Sequence, residues 1–432
     1  MAKYNPFNPN SVVAPNLFAG RTKQVLKLLE KLEHVKRGMS SSFVLHGDRG
    51  IGKTALAKLI KYAASSKDPA LHDLSFITSY YSVEKGQDLQ SVLQASLNSL
   101  TDQLETSVIE RLSERVGGIF KGGKFAFGAF SVELDSKDTQ VKQQQILKDQ
   151  IVSALTNIIK GSDEAATGEN SKGNDGVLII IDEIHNLSDL KGAAQVLRSI
   201  ATTLDVNGFG KISFMVIGYT ESIQDFFAGD PSAKRHFDPI ELTIMPIDEA
   251  ALILTKGLDE AEVKYDAKEI VNYVAQTGGY PHSIQLLGHN VLSVDPSSDN
   301  ITTSQWDSAI LKTAFDLQQK DFSSLYDFTG KQTLRENLMD VLAIASRPLT
   351  KQEAKEMCSG RNIYQGTVLG ELKKIGAVKE NKDTGELTLQ SLLFRSAIMM
   401  KIFSQKSKDE HILKTIDFNT TLEAKKTSLL GS

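Results

Sequence analysis

Gly47-Asp48-Arg49-Gly50-Ile51-Gly52-Lys53-Thr54 is a complete Gly-x-x-x-x-Gly-Lys-Thr segment, and it restricts the possible folds of this chain more than any other feature does. It follows the apolar run Phe43-Val44-Leu45 and leads into Ala55-Leu56-Ala57-Lys58-Leu59-Ile60, so it reads as a loop between a buried strand and a helix. A fold containing it must supply a strand–loop–helix unit, which points to an α/β sheet. The glycines let backbone N–H groups converge on phosphate oxygens, and the helix N-terminus adds partial positive charge. Lys53 reaches the β- and γ-phosphates and the Thr54 hydroxyl ligates Mg²⁺, so the segment predicts a nucleoside triphosphate site. A chance Gly-rich turn accounts for one or two glycines but not for the Lys-Thr pair.

A second segment adds hydrolysis. Val177-Leu178-Ile179-Ile180-Ile181 is a continuous apolar run suited to a parallel strand buried on both faces, and it ends in Asp182-Glu183. Carboxylates at the C-terminal end of such a strand come to lie beside the phosphate loop. Asp182 is expected to hold Mg²⁺ and Glu183 to polarise the attacking water, since phosphoryl transfer needs positioning and charge neutralisation more than covalent chemistry.

The chain has 432 residues, enough for two or three domains, with 41% hydrophobic and 24% charged residues, as in ordinary soluble proteins. A net charge of −4 gives no whole-chain argument for nucleic acid or an anionic membrane. One cysteine, Cys358, excludes internal disulfides and Cys-rich metal sites. With no signal-peptide pattern at Met1–Phe7 and no bilayer-length apolar run, a cytoplasmic, non-membrane protein is expected.

The order of elements predicts a three-layer parallel α/β sheet over residues 1–246: a helix through Val25–Leu32, the phosphate-loop strand, a strand at Ser75–Val83, a helix from Leu89, an insertion over about 115–175, then strands at Val177–Ile181, Ile212–Gly218 and Ile240–Ile244. Residues 247–328 read as a helical lid with a linker helix carrying Trp306 on its core face. Residues 329–403 read as three helices and a hairpin around Asp383-Thr384-Gly385, the pattern of a winged helix, and 404–432 as a polar tail.

Taken together, these segments resemble AAA+ ATPases of the initiator and origin-recognition type and the similar STAND signalling ATPases. The resemblance covers about residues 5–403. It implies ATP and Mg²⁺ as cofactors, with phosphate contacts from Gly47, Gly50, Ile51, Gly52, Lys53, Thr54 and Ala55, and Mg²⁺ on Thr54 and Asp182. Asn5-Pro6-Phe7 with Leu17-Phe18-Ala19-Gly20-Arg21 is similar to the family's adenine-side box, which implies Val12, Val13 and Phe18 near the base. Thr220 falls where the first sensor is expected, with Tyr219 and Ser222 as alternatives. Ser232 to Phe237 is similar to the arginine-finger segment, which implies that Arg235 reaches the γ-phosphate of a neighbouring subunit. Gly279-Tyr280-Pro281-His282 resembles the Gly-x-Pro signature of the STAND group and implies Pro281 and His282 at the nucleotide. Initiator-type members usually have an arginine there, so the histidine favours a signalling switch.

The expected function is therefore an ATP-hydrolysing switch acting as a homo-oligomer or on a protein effector, for example in anti-phage defence. The alternative is an initiator or transposition regulator that grips DNA with its winged helix. The recognition segment Asn362–Lys374 is thinly basic for base readout, having Arg361 at its start and Lys373 and Lys374 at its end. Gly117–Phe130 interleaves aromatics with lysine in a pattern compatible with nucleic-acid stacking, although a packed hairpin explains it as well. His185, which invites a helicase reading, is taken as a helix-start residue.

Overall fold

The structure is a computed structural model that describes residues 3–66, 73–104, 106–116, 120–121, 123–126, 137–165, 174–325, 332–345, 347–358, 368–381 and 383–404. It comprises two compact units, Ala14–Thr243 and a second made of Met1–Val13 with Ile244–Ser432.

The first unit is built on five parallel strands: β1 (Ser42–Gly47), β2 (Phe76–Ser82), β5 (Gly176–Asp182), β6 (Ile212–Gly218) and β7 (Phe237–Leu242). Strands β3 (Phe120–Lys121) and β4 (Lys124–Phe125) form a separate hairpin. The order across the main sheet is β2-β5-β6-β1-β7, so one strand separates the phosphate-loop strand from the acidic strand. Every residue of β5 and β6 is buried, as continuous apolar runs require when helices cover both faces. Helices α1 (Thr22–Lys36), α2 (Lys53–Ser65), α3 (Leu89–Thr101), α4 (Thr106–Val116), α5 (Lys137–Ala165), α6 (Leu190–Val206) and α7 (Thr220–Gly229) flank the sheet, giving the three-layer α/β arrangement. Asp88 and Asp189 cap α3 and α6 by accepting the backbone N–H groups of Ser91 and Gly192.

Two elements differ from the sequence expectation. Strand β7 begins at Phe237 rather than Ile240 and ends at Leu242, because its register runs from Ser42 opposite Phe237 to Gly47 opposite Leu242. Pro239 sits within it without harm, since β7 is an edge strand. Among its described residues the insertion is largely helical, with α5 running to Ala165. Along α5, Leu147, Ile151, Leu155 and Ile158 recur at helical spacing and enter the core shared with α3 and α6. The hairpin turns Phe120 and Phe125 inward, with ring centroids 4.8 Å apart and both side chains buried, so these aromatics form core and present no stacking platform. Phe127 and Phe130 lie outside the described residues.

The second unit contains α8 (Ile247–Glu260), α9 (Ala267–Gln276), α10 (Pro281–Val294) and α11 (Thr303–Asp321). After these come α12 (Gln332–Ala345), α13 (Lys351–Met357), α14 (Val368–Lys374), the antiparallel pair β8 (Val378–Glu380) and β9 (Leu387–Leu389), and α15 (Leu392–Ser404). Capping boxes at Thr302/Gln305 and Thr350/Glu353 start α11 and α13. Trp306 is fully buried and stacks on Tyr273 at 5.1 Å, as core. The sequence reading did not anticipate α15, whose Leu393, Phe394, Ala397, Ile398 and Met400 are buried and which packs on α11 and α12. The N-terminal residues group with this unit for a steric reason. The Phe7 ring fills a slot between Gly257 on α8 and Gly288 on α10, where a Cβ at either glycine would come within 2.5 Å of the ring.

Candidate functional site

The phosphate loop joins β1 to α2, and three of its glycines have positive φ: Gly47 (149°), Gly50 (78°) and Gly52 (100°). Two of them are glycine for different reasons. A Cβ at Gly47 would lie 2.4 Å from the Leu242 carbonyl oxygen of the adjoining strand, whereas one at Gly52 would meet nothing within 4 Å. Gly47 is therefore set by packing, and Gly52 by the left-handed turn that opens α2. Gly47→Ala should destabilise the protein by about 2–4 kcal/mol, through a backbone clash added to an unfavourable φ, read as a lower urea midpoint with an unchanged slope. The loop is held from a second side by Arg21. This buried residue, with φ of 61°, donates from Nη2 to the Ile51 carbonyl at 3.0 Å and to the Thr243 carbonyl at 2.7 Å. Ile51 is itself fully buried, and Ala55 sits half-buried in the first turn of α2.

Lys53 lies at the first position of α2 and is 7% exposed. Its ammonium donates to the Gly47 and Asp48 carbonyls, both at 2.9 Å. Burial lowers its pKa, against the opposing pull of the Glu183, Asp182 and Asp48 carboxylates. Such an ammonium is desolvated and gains from an anionic partner.

Thr54 and Asp182 meet directly. The Thr54 hydroxyl donates to Asp182 Oδ2 at 2.7 Å, the Tyr80 hydroxyl donates to the same oxygen at 2.6 Å, and the Glu183 backbone N–H donates to Oδ1 at 2.8 Å. Asp182 is 1% exposed, and these three donors satisfy its oxygens. Burial and the Asp182 charge push the Tyr80 phenol well above its ordinary pKa, keeping it a donor. Thr54 and Asp182 together offer hydroxyl and carboxylate oxygens, a hard-donor pair that fits Mg²⁺. Among the described residues no group of three or more His, Cys, Asp or Glu side chains is placed to hold a metal. A cation carried mainly by substrate phosphates needs no such group.

Glu183 has left-handed backbone geometry (φ 58°, ψ 39°), and its carboxylate lies 3.1 Å from His185 Nε2. Thr220 opens α7 directly after β6, with its hydroxyl 3.3 Å from His46 Nδ1, and burial lowers the pKa of that imidazole. Tyr219, one residue earlier, meets the loop lysine, with Lys53 Nζ 4.7 Å from its ring centroid. The structure thus brings together Gly47, Gly50, Ile51, Gly52, Lys53, Thr54, Asp182 and Glu183.

The remaining candidates are placed as follows. Arg235 is exposed at the end of a 3-10 turn, Pro231–Arg235, capped by Asp230. Phe18 follows the 3-10 turn Pro15–Leu17, which lies against α2. Val12 and Val13 belong to the second unit, as do Pro281 and His282 in the first turn of α10. There, Gly278 and Gly279 take positive φ, and Met245 N–H donates to the Gly279 carbonyl at 3.0 Å. Tyr80, Tyr219 and His185 were not predicted as primary site residues. Tyr80 carries no motif, and its role depends on β2 being the strand beside β5.

A parallel α/β sheet with a Gly-Lys-Thr loop after one strand and Asp-Glu at the end of another defines a P-loop nucleotide-binding fold. Residues 17–213 match the family described as "AAA ATPase domain". No curated protein matches the chain. Among solved structures the chain is similar to the ADP form of the ORC2 protein of Aeropyrum pernix, at 12% identity over 93% of this chain and 97% of that one, with a TM-score of 0.49. It is similar also to a Walker-type ATPase of Pyrococcus abyssi, at 12% identity over 88% and 96%, with a TM-score of 0.45. A third similar structure is the RuvB Holliday junction branch migration motor of Thermotoga maritima, at 17% identity over 86% and 92%, with a TM-score of 0.40.

Proposed function

We propose that the chain is an ATP-binding and ATP-hydrolysing switch of the AAA+/STAND type. The observation that carries this reading is the convergence of Lys53, Thr54, Asp182 and Glu183 at the phosphate loop, where the Thr54 hydroxyl and the Glu183 N–H donate to Asp182 and the Lys53 ammonium feels both carboxylates. The loop N–H groups and Lys53 bind the phosphates of ATP. Thr54 and Asp182 hold Mg²⁺, which neutralises phosphate charge. Glu183, whose side chain is 35% exposed, accepts a proton from the attacking water. Thr220 and His282 act as γ-phosphate sensors, and Val12, Val13 and Phe18 serve the adenine side. Steady-state hydrolysis and nucleotide binding in the Lys53 and Glu183 variants described below test this reading.

The second unit is assigned as helical lid (247–328) and winged helix (329–403), passing nucleotide state to a protein effector or to further copies of the chain. Ion pairing favours a protein partner over DNA. Lys351 and Lys373 both pair with Glu380, Arg347 with Glu353 and Lys401 with Glu336, so these cations are already partly neutralised within the chain. A phosphate-gripping surface instead needs unneutralised cations. A signalling assembly such as anti-phage defence is consistent with this arrangement. Among the described residues no helix is long and apolar enough to cross a membrane.

Assembly has its own test. If Arg235 serves the γ-phosphate of the next subunit, hydrolysis should rise more than linearly with protein concentration, and Arg235→Ala should lower it about tenfold or more. Mixing Arg235→Ala with Lys53→Ala protein should restore part of the lost activity, since one supplies the pocket and the other the finger. Full activity of Arg235→Ala alone would make Arg235 a solvated surface residue.

A further inference from the structure

Asp182-Glu183-Ile184-His185 places a histidine two residues beyond the water-activating carboxylate, and the function proposed above makes no use of it. The sequence reading took His185 as a helix-start residue. It does lie in a one-turn 3-10 helix, Ile184–Asn186, but its ring has specific partners. His185 Nε2 is 3.1 Å from Glu183 Oε2. The imidazole lies against the Tyr219 ring, with centroids 4.3 Å apart and planes at 37°. Over that Tyr219 ring stands the Lys53 ammonium, 4.7 Å from its centroid. His185 Nδ1 is buried and has no hydrogen-bond partner among the described residues. A buried imidazole usually has its second nitrogen hydrogen-bonded, which fixes the ring; here that fixation is missing, and the Tyr219 face and the Glu183 carboxylate set the ring's orientation.

Three separate segments therefore supply one continuous chain of contacts. Lys53 comes from the phosphate loop, Tyr219 from the junction of β6 and α7, and His185 with Glu183 from the end of β5. Glu183 is the member with left-handed backbone, a conformation that a non-glycine residue keeps only where its surroundings hold it. We propose that His185 and Tyr219 are positioning residues for Glu183, and that the cation–π contact of Lys53 on Tyr219 ties the placement of the water-activating carboxylate to the lysine that meets the phosphates. This rests on the reading of Glu183 as the group that activates water. Its consequence is coupling between binding and chemistry. A phosphate draws on the same ammonium that now donates to Gly47 and Asp48, so a shift of that ammonium changes the contact with Tyr219 and, through the imidazole, the setting of Glu183.

The test uses the full chain, with steady-state ATP hydrolysis, equilibrium ATP binding and NMR of selectively ¹⁵N-labelled histidine. His185→Ala should lower kcat roughly tenfold while leaving ATP affinity within about threefold, because a misplaced carboxylate costs turnover rather than binding. His185→Gln retains an amide donor near the position of Nε2 and should recover turnover to within about threefold of wild type. Tyr219→Leu should behave like His185→Ala, and Tyr219→Phe like wild type. Independently of turnover, Glu183→Gln, Tyr219→Leu and Lys53→Ala should each shift the His185 ring resonances. Wild-type turnover by His185→Ala, failure of His185→Gln to recover activity, or His185 resonances indifferent to Glu183→Gln and Tyr219→Leu would each overturn the proposal. Wild-type turnover by Glu183→Gln would instead remove the role of Glu183 itself, and the positioning role with it. Loss in Glu183→Gln with full activity in His185→Ala removes the positioning role alone.

Discussion

Lys53→Ala should weaken ATP binding on the order of 10³-fold. The ammonium is buried, held at the lip of the loop by two carbonyls, and surrounded by Asp48, Asp182 and Glu183. Without it, a triphosphate would meet the carboxylates of Asp48, Asp182 and Glu183 with no lysine to offset them. Truncating one partner of a desolvated charge pair costs about 2–5 kcal/mol, and here the carboxylates left behind add repulsion. The loop itself should survive the loss of the two Lys53 hydrogen bonds, because Gly47 packed against Leu242 and the Arg21 hydrogen bonds also hold it. Equilibrium binding of a fluorescent ATP analogue, with thermal melting as the control for folding, measures the loss. Unchanged affinity would show that the loop does not receive phosphates.

Glu183→Gln should act on the other half of the cycle. The substitution keeps size and hydrogen bonding but removes the proton-accepting charge, so binding stays within a few-fold while hydrolysis falls by about 10²–10⁴. The two carboxylates at the end of β5 are not equivalent. Asp182 is almost fully buried and its oxygens accept from Thr54, Tyr80 and the Glu183 N–H, whereas Glu183 is part-exposed and its carboxylate lies beside His185. A group spent on three hydrogen bonds organises the site. One left facing solvent is available to take a proton.

Much of this site was legible in the sequence, because each of its motifs is carried by consecutive residues. Gly47 to Thr54 specifies its own loop, and five apolar residues ending in Asp182-Glu183 specify a doubly buried strand whose end must lie at the sheet's C-terminal edge. The contacts that escaped depend on strand order. Tyr80 reaches Asp182 only because β2 pairs with β5, and Tyr219 reaches Lys53 only because β6 is the strand beside β1. Nothing local in Ser79-Tyr80-Tyr81 or Gly218-Tyr219-Thr220 announces either pairing. Helix α5 was hidden for another reason. Its first turns, Lys137 to Gln145, are polar apart from Val141, and its buried apolar stripe begins only near Leu147. The early start of β7 was obscured by Pro239, which sequence patterns treat as a break and an edge strand tolerates. Helix α15 is apolar on nearly every side and so lacks the one-sided stripe that marks a surface helix.

The most direct measurement is the identity of the nucleotide each variant retains after incubation with Mg²⁺ and radiolabelled ATP, followed by rapid removal of free ligand. Wild-type protein should hold label as ADP, Glu183→Gln should hold it as unhydrolysed ATP, and Lys53→Ala should hold none. ADP on Glu183→Gln in the wild-type proportion, or wild-type retention by Lys53→Ala, would contradict the assignment of this cluster as an ATP-hydrolysing centre.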